Sequence, residues 1–501
     1  MAVGGLDIGT SSSKFVAFKN DGTILYECKK EYQEYGTDGI REIHPEEVWA
    51  AVVEVLKEAA TLCPEPIEGF AITTLGESFV AIDARDRVLN ASMVTGDKRG
   101  IDESRKIIYE YGSEKIMTLT GIPPSEMYAL PKMIWIKEHT DILSHARYLF
   151  MYEDYVAYML TGVRKISYSQ ASRSMAFDIR KKKWIKELLE HAGLNEEMMS
   201  KPVPSGEVIG NLRKEICTQT GLSEKTVIVA GGHDQMCAAL GNGVLEPGIY
   251  GDGMGTCEVM TMLLDGVCTG NNMIKSETPC VPYLHEDSYL TYLVMTNCGS
   301  LMNWYRDTWM NVKYLSSDIV LNKRLSLLDQ DVDEEPTGLL VIPDFGSSGN
   351  PHIDYEARGT IWGLTIHTRP GELFRGFKEG MAYHMKLCME TLQPMGIRPE
   401  IIRASGGGAA SDVTLQIRAD VFGLPVCRME HSEAGAKGCM LLASAALGIY
   451  KDEKEAFNST LRLEKTFYPD RNRHAQYMLL YEKYRQLYET VYMFHRKIKT
   501  T

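Results

Sequence analysis

No two of the 11 cysteines form a C-x-x-C pair, which removes the usual framework for structural zinc or an iron–sulfur cluster. An odd, scattered set reads instead as reduced thiols in a cytoplasmic protein. No run approaches the ~18 consecutive apolar residues of a membrane helix. The opening residues lack a basic segment followed by a long apolar run, so no secretory signal and no membrane partner are expected. Positive charge is in deficit: Lys plus Arg number 54 against 67 Asp plus Glu, a formal net charge of −13. Such a surface repels a phosphate backbone and argues against nucleic acid as a partner. Low-complexity linkers are also missing, and neither the P-loop nor the G-x-G-x-x-G pattern fits the opening motif.

What is present is a chain of 501 residues, 44% apolar and 24% charged, which folds into two large or about three ordinary domains at roughly 150 residues each. Residues 1–26 read as strand, Gly-Thr-Ser turn, strand, polar turn and third strand. His44-Pro45-Glu46-Glu47 then starts a helix with Val48, Ala51, Val52, Val55, Leu56 and Ala59 at helical spacing. Residues 67–73 and 79–83 look like further strands, so an α/β domain with a mixed sheet is expected. Residues 101–201 are mostly helical by pattern and read as an insertion. From residue 226 the N-terminal grammar returns: a strand at 227–230, a helix at 235–240, then a second strand–glycine turn–strand through Gly251 and Leu264. This weak internal repeat predicts two similar sheet domains, 1–243 and 244–501. A last helix is expected at about 473–497.

Four constellations carry chemistry. In Asp7-Ile8-Gly9-Thr10-Ser11-Ser12-Ser13-Lys14, Gly9 permits a tight turn whose backbone N–H groups face an anion. Thr10, Ser11 and Ser12 add donors, Lys14 adds a positive charge, and Asp7 at a strand end can hold a Mg²⁺–water shell. An ordinary Ser/Gly turn is the bland alternative. Gly251-Asp252-Gly253-Met254-Gly255-Thr256 repeats the arrangement, and two such hairpins on facing domains would grip a nucleoside triphosphate from both sides. Gly231-Gly232-His233-Asp234 places an acid at the carboxyl end of a buried strand, where open α/β sheets put their ligands. Asp234 there either accepts a proton from a hydroxyl nucleophile or caps the following helix; His233 is read as structural. Ser405-Gly406-Gly407-Gly408 with Ser411 lets an adenosine lie against bare backbone at a helix N-terminus, a use that explains three glycines despite their entropic cost.

Taken in order, these motifs resemble the FGGY carbohydrate kinases of the actin-like ATPase superfamily, in their xylulokinase-like branch. The resemblance runs through Asp97-x-Arg99, Lys132-x-x-Trp135, Asp154-Tyr155, Gly232-x-Asp234, Gly255-Thr256, Gly359-x-Ile361-x-Gly363-Leu364 and Gly406-Gly407-Gly408. It implies two RNase H-like α/β domains flanking a central cleft, with ATP and Mg²⁺ bound mainly against the second and a small sugar in the first. By the same resemblance Asp234 is the general base, and Asp7 with Asp234 organises Mg²⁺ through water. Thr10, Ser11, Ser12, Lys14, Gly255 and Thr256 hold phosphates, Gly407, Gly408 and Ser411 border the adenosine, and Glu77, Asp97 and Arg99 select the sugar. A homodimer is compatible with the resemblance. There are departures: Ala129 stands at an unusual place in the first family signature, and the second ends Arg375-Gly376-Phe377-Lys378-Glu379 instead of small-then-apolar. Xylulokinases carry Met-His where this chain has Gly76-Glu77, and Trp-Asn where it has Thr95-Gly96, so an acceptor other than xylulose is expected. Fuculose-, ribulose- and erythritol-type acceptors are the rivals within the class, and a non-catalytic actin-like clamp is the rival outside it.

Overall fold

A computed structural model describes residues 1–285, 287–309, 329, 334–430 and 433–499. The first sheet is six-stranded. β1 (Ala2–Ile8), β2 (Ser12–Lys19) and β3 (Ile24–Glu31) form an antiparallel meander, and β4 (Ile67–Thr74) lies parallel to β1. β5 (Val208–Asn211) is an antiparallel edge strand beside β6 (Val227–His233), which runs parallel to β4. The near-continuous apolar runs of β1 and β4 reflect burial on both faces: Val3, Leu6, Ile8, Phe70, Ala71 and Ile72 are all fully buried. The crossover helix α1 (Pro45–Leu62) lays Val48, Ala51, Val52, Val55, Leu56 and Ala59 on this sheet, the stripe that its spacing predicts.

The second, seven-stranded sheet repeats the plan. β7 (Ile249–Met254), β8 (Glu258–Leu264) and β10 (Tyr289–Met295) form the meander, with β9 (Val281–Pro282) at its outer edge. β11 (Ile401–Ser405) and β12 (Val426–Met429) add parallel to β7, and β13 (Leu463–Phe467) closes the far edge antiparallel. Each sheet therefore presents a hairpin and two parallel strand ends on one side. This is the actin-like ATPase fold: α/β, with two RNase H-like domains facing across a cleft.

Two helices join the halves. α2 (Asp234–Gly241) continues from β6, while α6 (Ala434–Ala446), which follows β12 in sequence, packs on β1, β4 and α2 of the first half. Glycine makes the crossing close: a Cβ on Gly438 would stand 1.9 Å from the Cys237 carbonyl oxygen, and one on Gly241 2.0 Å from that of Ala434. The remaining helices that matter below are α3 (Gly299–Trp309), α4 (Pro370–Leu392), α5 (Asp412–Phe422) and α7 (Arg471–Lys499).

Some expectations shift. The strand expected at 79–83 exists as Phe79–Ile82 but pairs with Tyr148–Met151 in a separate ribbon, outside the main sheet. β6 runs on through Gly231-Gly232 to His233, past the expected strand end at 230. The last helix begins two residues earlier and ends two later than its periodicity suggests, burying Tyr477, Tyr481, Tyr484 and Tyr488 while leaving Leu479 exposed.

Candidate active site

The carboxyl ends of β1, β4 and β6 bring Asp7, Glu77 and Asp234 to one side of the first sheet. Asp234 is the first residue of α2, and no side chain caps that helix; the capping alternative is therefore not realised. Its side chain is 41% exposed, and Oδ1 lies 3.1 Å from Nε2 of the buried His233. The contact is one of charge and not a hydrogen bond, so Oδ1 has no hydrogen-bond donor among the described residues. Burial raises the Asp234 carboxyl above its ordinary range; His233 opposes this, and the negative charges of Asp7 and Glu77 reinforce it. Burial likewise carries Asp7 up to about 6, with Lys14 opposing and Glu433 reinforcing the shift. Two hard, mutually repelling oxygen donors with an orphaned atom suit a Mg²⁺ hydration shell. Among the described residues no group of three or more His, Cys, Asp or Glu side chains is placed to hold a metal ion.

In the first hairpin the Gly9 N–H donates to the Ser12 carbonyl at 2.9 Å, and Thr10, Ser11 and Ser12 are partly or fully exposed. Lys14 reaches Glu433, just before α6, at 2.6 Å. The second hairpin is pinned in the same way, with Gly255 N–H donating to Cys257 O at 2.9 Å and α3 starting against it through Gly299 N–H to Gly255 O at 3.0 Å. A cavity of about 550 Å³ opens beside it, and Gly255, Thr256, Gly407, Gly408 and Ser411 all line it. A Cβ on Gly407 would meet nothing within 4 Å. The residues of the first hairpin do not line this cavity. Lys378, buried on α4, enters it and donates to Ser411 Oγ at 3.1 Å while pairing with Asp329; Ser411 also caps α5 through Thr414 N–H. This lysine is one of the departures from the family signature.

On the first half, Glu77 is buried against Arg173. Arg173 Nε donates to Glu77 Oε1 at 2.9 Å, its Nη2 contacts the same oxygen, and its Nη1 donates to Tyr292 Oη at 2.6 Å. Tyr292 comes from β10, so a residue of the second sheet closes over this cluster. Burial would raise the Glu77 carboxyl, but Arg173, then His233 and Lys132, outweigh it and bring it to about 2. Fully buried Lys132 donates to the carbonyls of Glu77 and Val94 at 3.3 and 3.4 Å. Gly76 has no room for a side chain, since a Cβ would stand 2.7 Å from the His233 ring.

Asp97 and Arg99 form a tight pair. Arg99 donates to both Asp97 oxygens, from Nε at 3.0 Å and Nη2 at 2.6 Å, its own backbone N–H at 2.9 Å and the Arg41 N–H at 2.8 Å add a third and a fourth donor, and Arg99 also meets Glu42. The Asp97 side chain is 0% exposed. Sequence reading singled out neither Arg173, nor Tyr292, nor Tyr128, whose ring lies 4.9 Å from the Arg173 guanidinium carbon, and it read His233 as structural. No local signal marks them, because Arg173 lies 96 positions from Glu77.

The FGGY family of carbohydrate kinases, N-terminal domain, matches residues 2–241, and the C-terminal domain of the same family matches 263–447. The chain is 26% identical to the xylulose kinase of Bacillus subtilis (strain 168) over 494 residues, covering 97% of this chain and 96% of that one. To the gluconokinase of the same organism it is 27% identical over 456 residues, covering 89% and 87%. Among solved structures, the ligand-bound xylulose kinase from Lactobacillus acidophilus superposes with a TM-score of 0.88 at 23% identity, covering 99% of each chain. With both family domains matched in order across most of its length, the chain belongs to the FGGY family of carbohydrate kinases.

Proposed function

We propose that the protein transfers the terminal phosphoryl group of ATP to a hydroxyl of a small free sugar, a ketose or a related polyol, in the cleft between residues 1–243 and 244–501. The observation that carries this reading is Asp234, partly exposed at the end of β6, whose Oδ1 makes no hydrogen bond and has the His233 ring as its charged neighbour. Family membership removes the non-catalytic clamp. The acceptor hydroxyl gives its proton to Asp234 as its oxygen forms a bond to the γ-phosphorus; the bond from that phosphorus to the β,γ-bridging oxygen breaks, and ADP leaves. Gly255-Thr256 and the first hairpin present N–H and hydroxyl donors to the phosphates, and Gly407, Gly408 and Ser411 border the nucleoside. Mg²⁺ would supply charge neutralisation there, with Asp7 and Asp234 holding it through water. Glu77 offers an acceptor-only carboxylate where xylulokinases have histidine, which favours fuculose-, ribulose- or erythritol-type acceptors over xylulose. An ADP-release screen over ketoses, aldoses and polyols tests the reading, which fails if no member is turned over.

Gly407→Val gives a second check. A Cβ at this cavity-lining position meets no atom within 4 Å, so the effect is expected to fall on the nucleotide. The KM for ATP is expected to rise about tenfold or more with the acceptor KM unchanged. A raised acceptor KM with an unchanged ATP KM would reverse the assignment of the two halves.

A further inference from the structure

Among the described residues, the cations around the acceptor cluster already face internal partners. Arg99 is held by Asp97 and Glu42, and Lys132 is directed at two backbone carbonyls. Lys14 is paired with Glu433. Arg173 would be the natural seat for an acidic substrate, since a planar guanidinium binds carboxylates through a fork of N–H donors. That fork, Nε and Nη2, is turned onto Glu77 instead; Nη1 is taken by Tyr292, and the Tyr128 ring lies 4.9 Å from the guanidinium carbon. Glu77 thus occupies the position that a substrate carboxylate would take. A second carboxylate brought here would meet the charges of Glu77 and Asp234, while the guanidinium best placed to receive it is already taken by Glu77 and Tyr292 in a largely buried cluster, where unpaired charge is costly. A neutral polyhydroxylated molecule meets no such penalty and can donate to both carboxylates.

We propose that the Glu77–Arg173 pair is a charge filter that makes the acceptor site selective for neutral sugars or polyols and excludes sugar acids of the aldonate type. This rests on the kinase reading above. It also separates this chain from the gluconokinase it is similar to.

The test uses the full chain and ATP-dependent ADP release with D-xylulose, L-ribulose, L-fuculose and erythritol as neutral acceptors, and D-gluconate and D-xylonate as acids. For the wild type, the best neutral acceptor should exceed either acid in kcat/KM by at least about 100-fold, and neither acid should compete with it. Glu77→Gln keeps the shape but releases Arg173, and should shift the acid-to-neutral ratio toward the acids by about tenfold or more. Glu77→Gln/Arg173→Gln, in which no cation is released, should lose that shift. An acid as preferred acceptor or effective competitor in the wild type overturns the filter and leaves the kinase reading standing. An unchanged ratio in folded Glu77→Gln also overturns it. If Glu77→Gln does not fold, the wild-type turnover and competition results decide. Silence from every acceptor, neutral and acidic, defeats the kinase reading itself and the filter with it.

Discussion

Asp234→Asn is expected to lower kcat by about 10²–10⁴-fold, the usual range for loss of a general base, while the KM for ATP changes little. Asparagine has nearly the same volume and still occupies the first position of α2, where no side chain caps the helix. It cannot accept the hydroxyl proton. Stability should not fall. A carboxyl whose folded pKa lies above its unfolded value is penalised in the folded state once pH rises past the unfolded value, and burial with Asp7 and Glu77 raises Asp234 in this way. At neutral pH the substitution removes that penalty, so the thermal midpoint should match or exceed the wild type. Activity and stability thus move in different directions. A variant with wild-type kcat refutes the role of Asp234; one with lost stability but full activity per folded molecule would make it a structural residue.

Local signals carried the fold a long way. The hairpins around Gly9 and Gly255, the amphipathic α1 and the return of the N-terminal grammar near residue 226 are short-range patterns, and each becomes part of one of the two sheets or, for α1, the helix packed on the first. The residues proposed to face the nucleotide come together for the same reason: Gly255, Thr256, Gly407, Gly408 and Ser411 sit in strand-to-turn motifs, and the parallel pairing of β7 with β11 brings them to one cavity. What stayed hidden depends on contacts between distant positions. Nothing near Arg173 shows that its guanidinium will lie on Glu77, or that Tyr292 will arrive from the other sheet. The packing of α6 against the first half was equally invisible, because Gly438 and Gly241 read as ordinary helix glycines until the neighbouring carbonyls are in place. Asp97-x-Arg99 was legible as a motif. Its carboxylate proves to be filled by Arg99 and the Arg41 N–H, an arrangement suited to holding the segment around Gly96 and Arg99 in place.

Arg418→Met should destabilise the protein by about 3–5 kcal/mol, the cost typical of removing one partner from a buried ion pair. Arg418, on α5, is 1% exposed and meets Glu258 through Nη1 at 2.6 Å and through Nη2, and Asp252 through Nη1 at 3.3 Å; both acids are 0% exposed. These acids lie on β7 and β8, on either side of the turn that carries Gly255-Thr256, and α5 begins just after Gly407-Gly408. One guanidinium therefore ties together both loops proposed to face the nucleotide. Methionine fills much of the volume but leaves two buried carboxylates facing each other. Asp252 is already pushed well above the carboxylate range by burial and by Glu258, with Arg418 opposing; without that opposition its ionised form becomes harder to hold. A raised folded pKa means that the penalty grows with pH, so the deficit of Arg418→Met should be larger at pH 8 than at pH 6. Against a total stability of about 5–15 kcal/mol, the loss at pH 8 should move the urea midpoint, followed by far-UV circular dichroism, far below that of the wild type. Replacing all three charges together, Asp252→Asn/Glu258→Gln/Arg418→Met, should recover most of the loss, because a neutral cluster of similar volume carries no unpaired charge. An Arg418→Met protein with the wild-type urea midpoint at pH 8 would mean that the cluster contributes nothing. A triple variant as unstable as the single one would mean that the loss came from packing and not from charge.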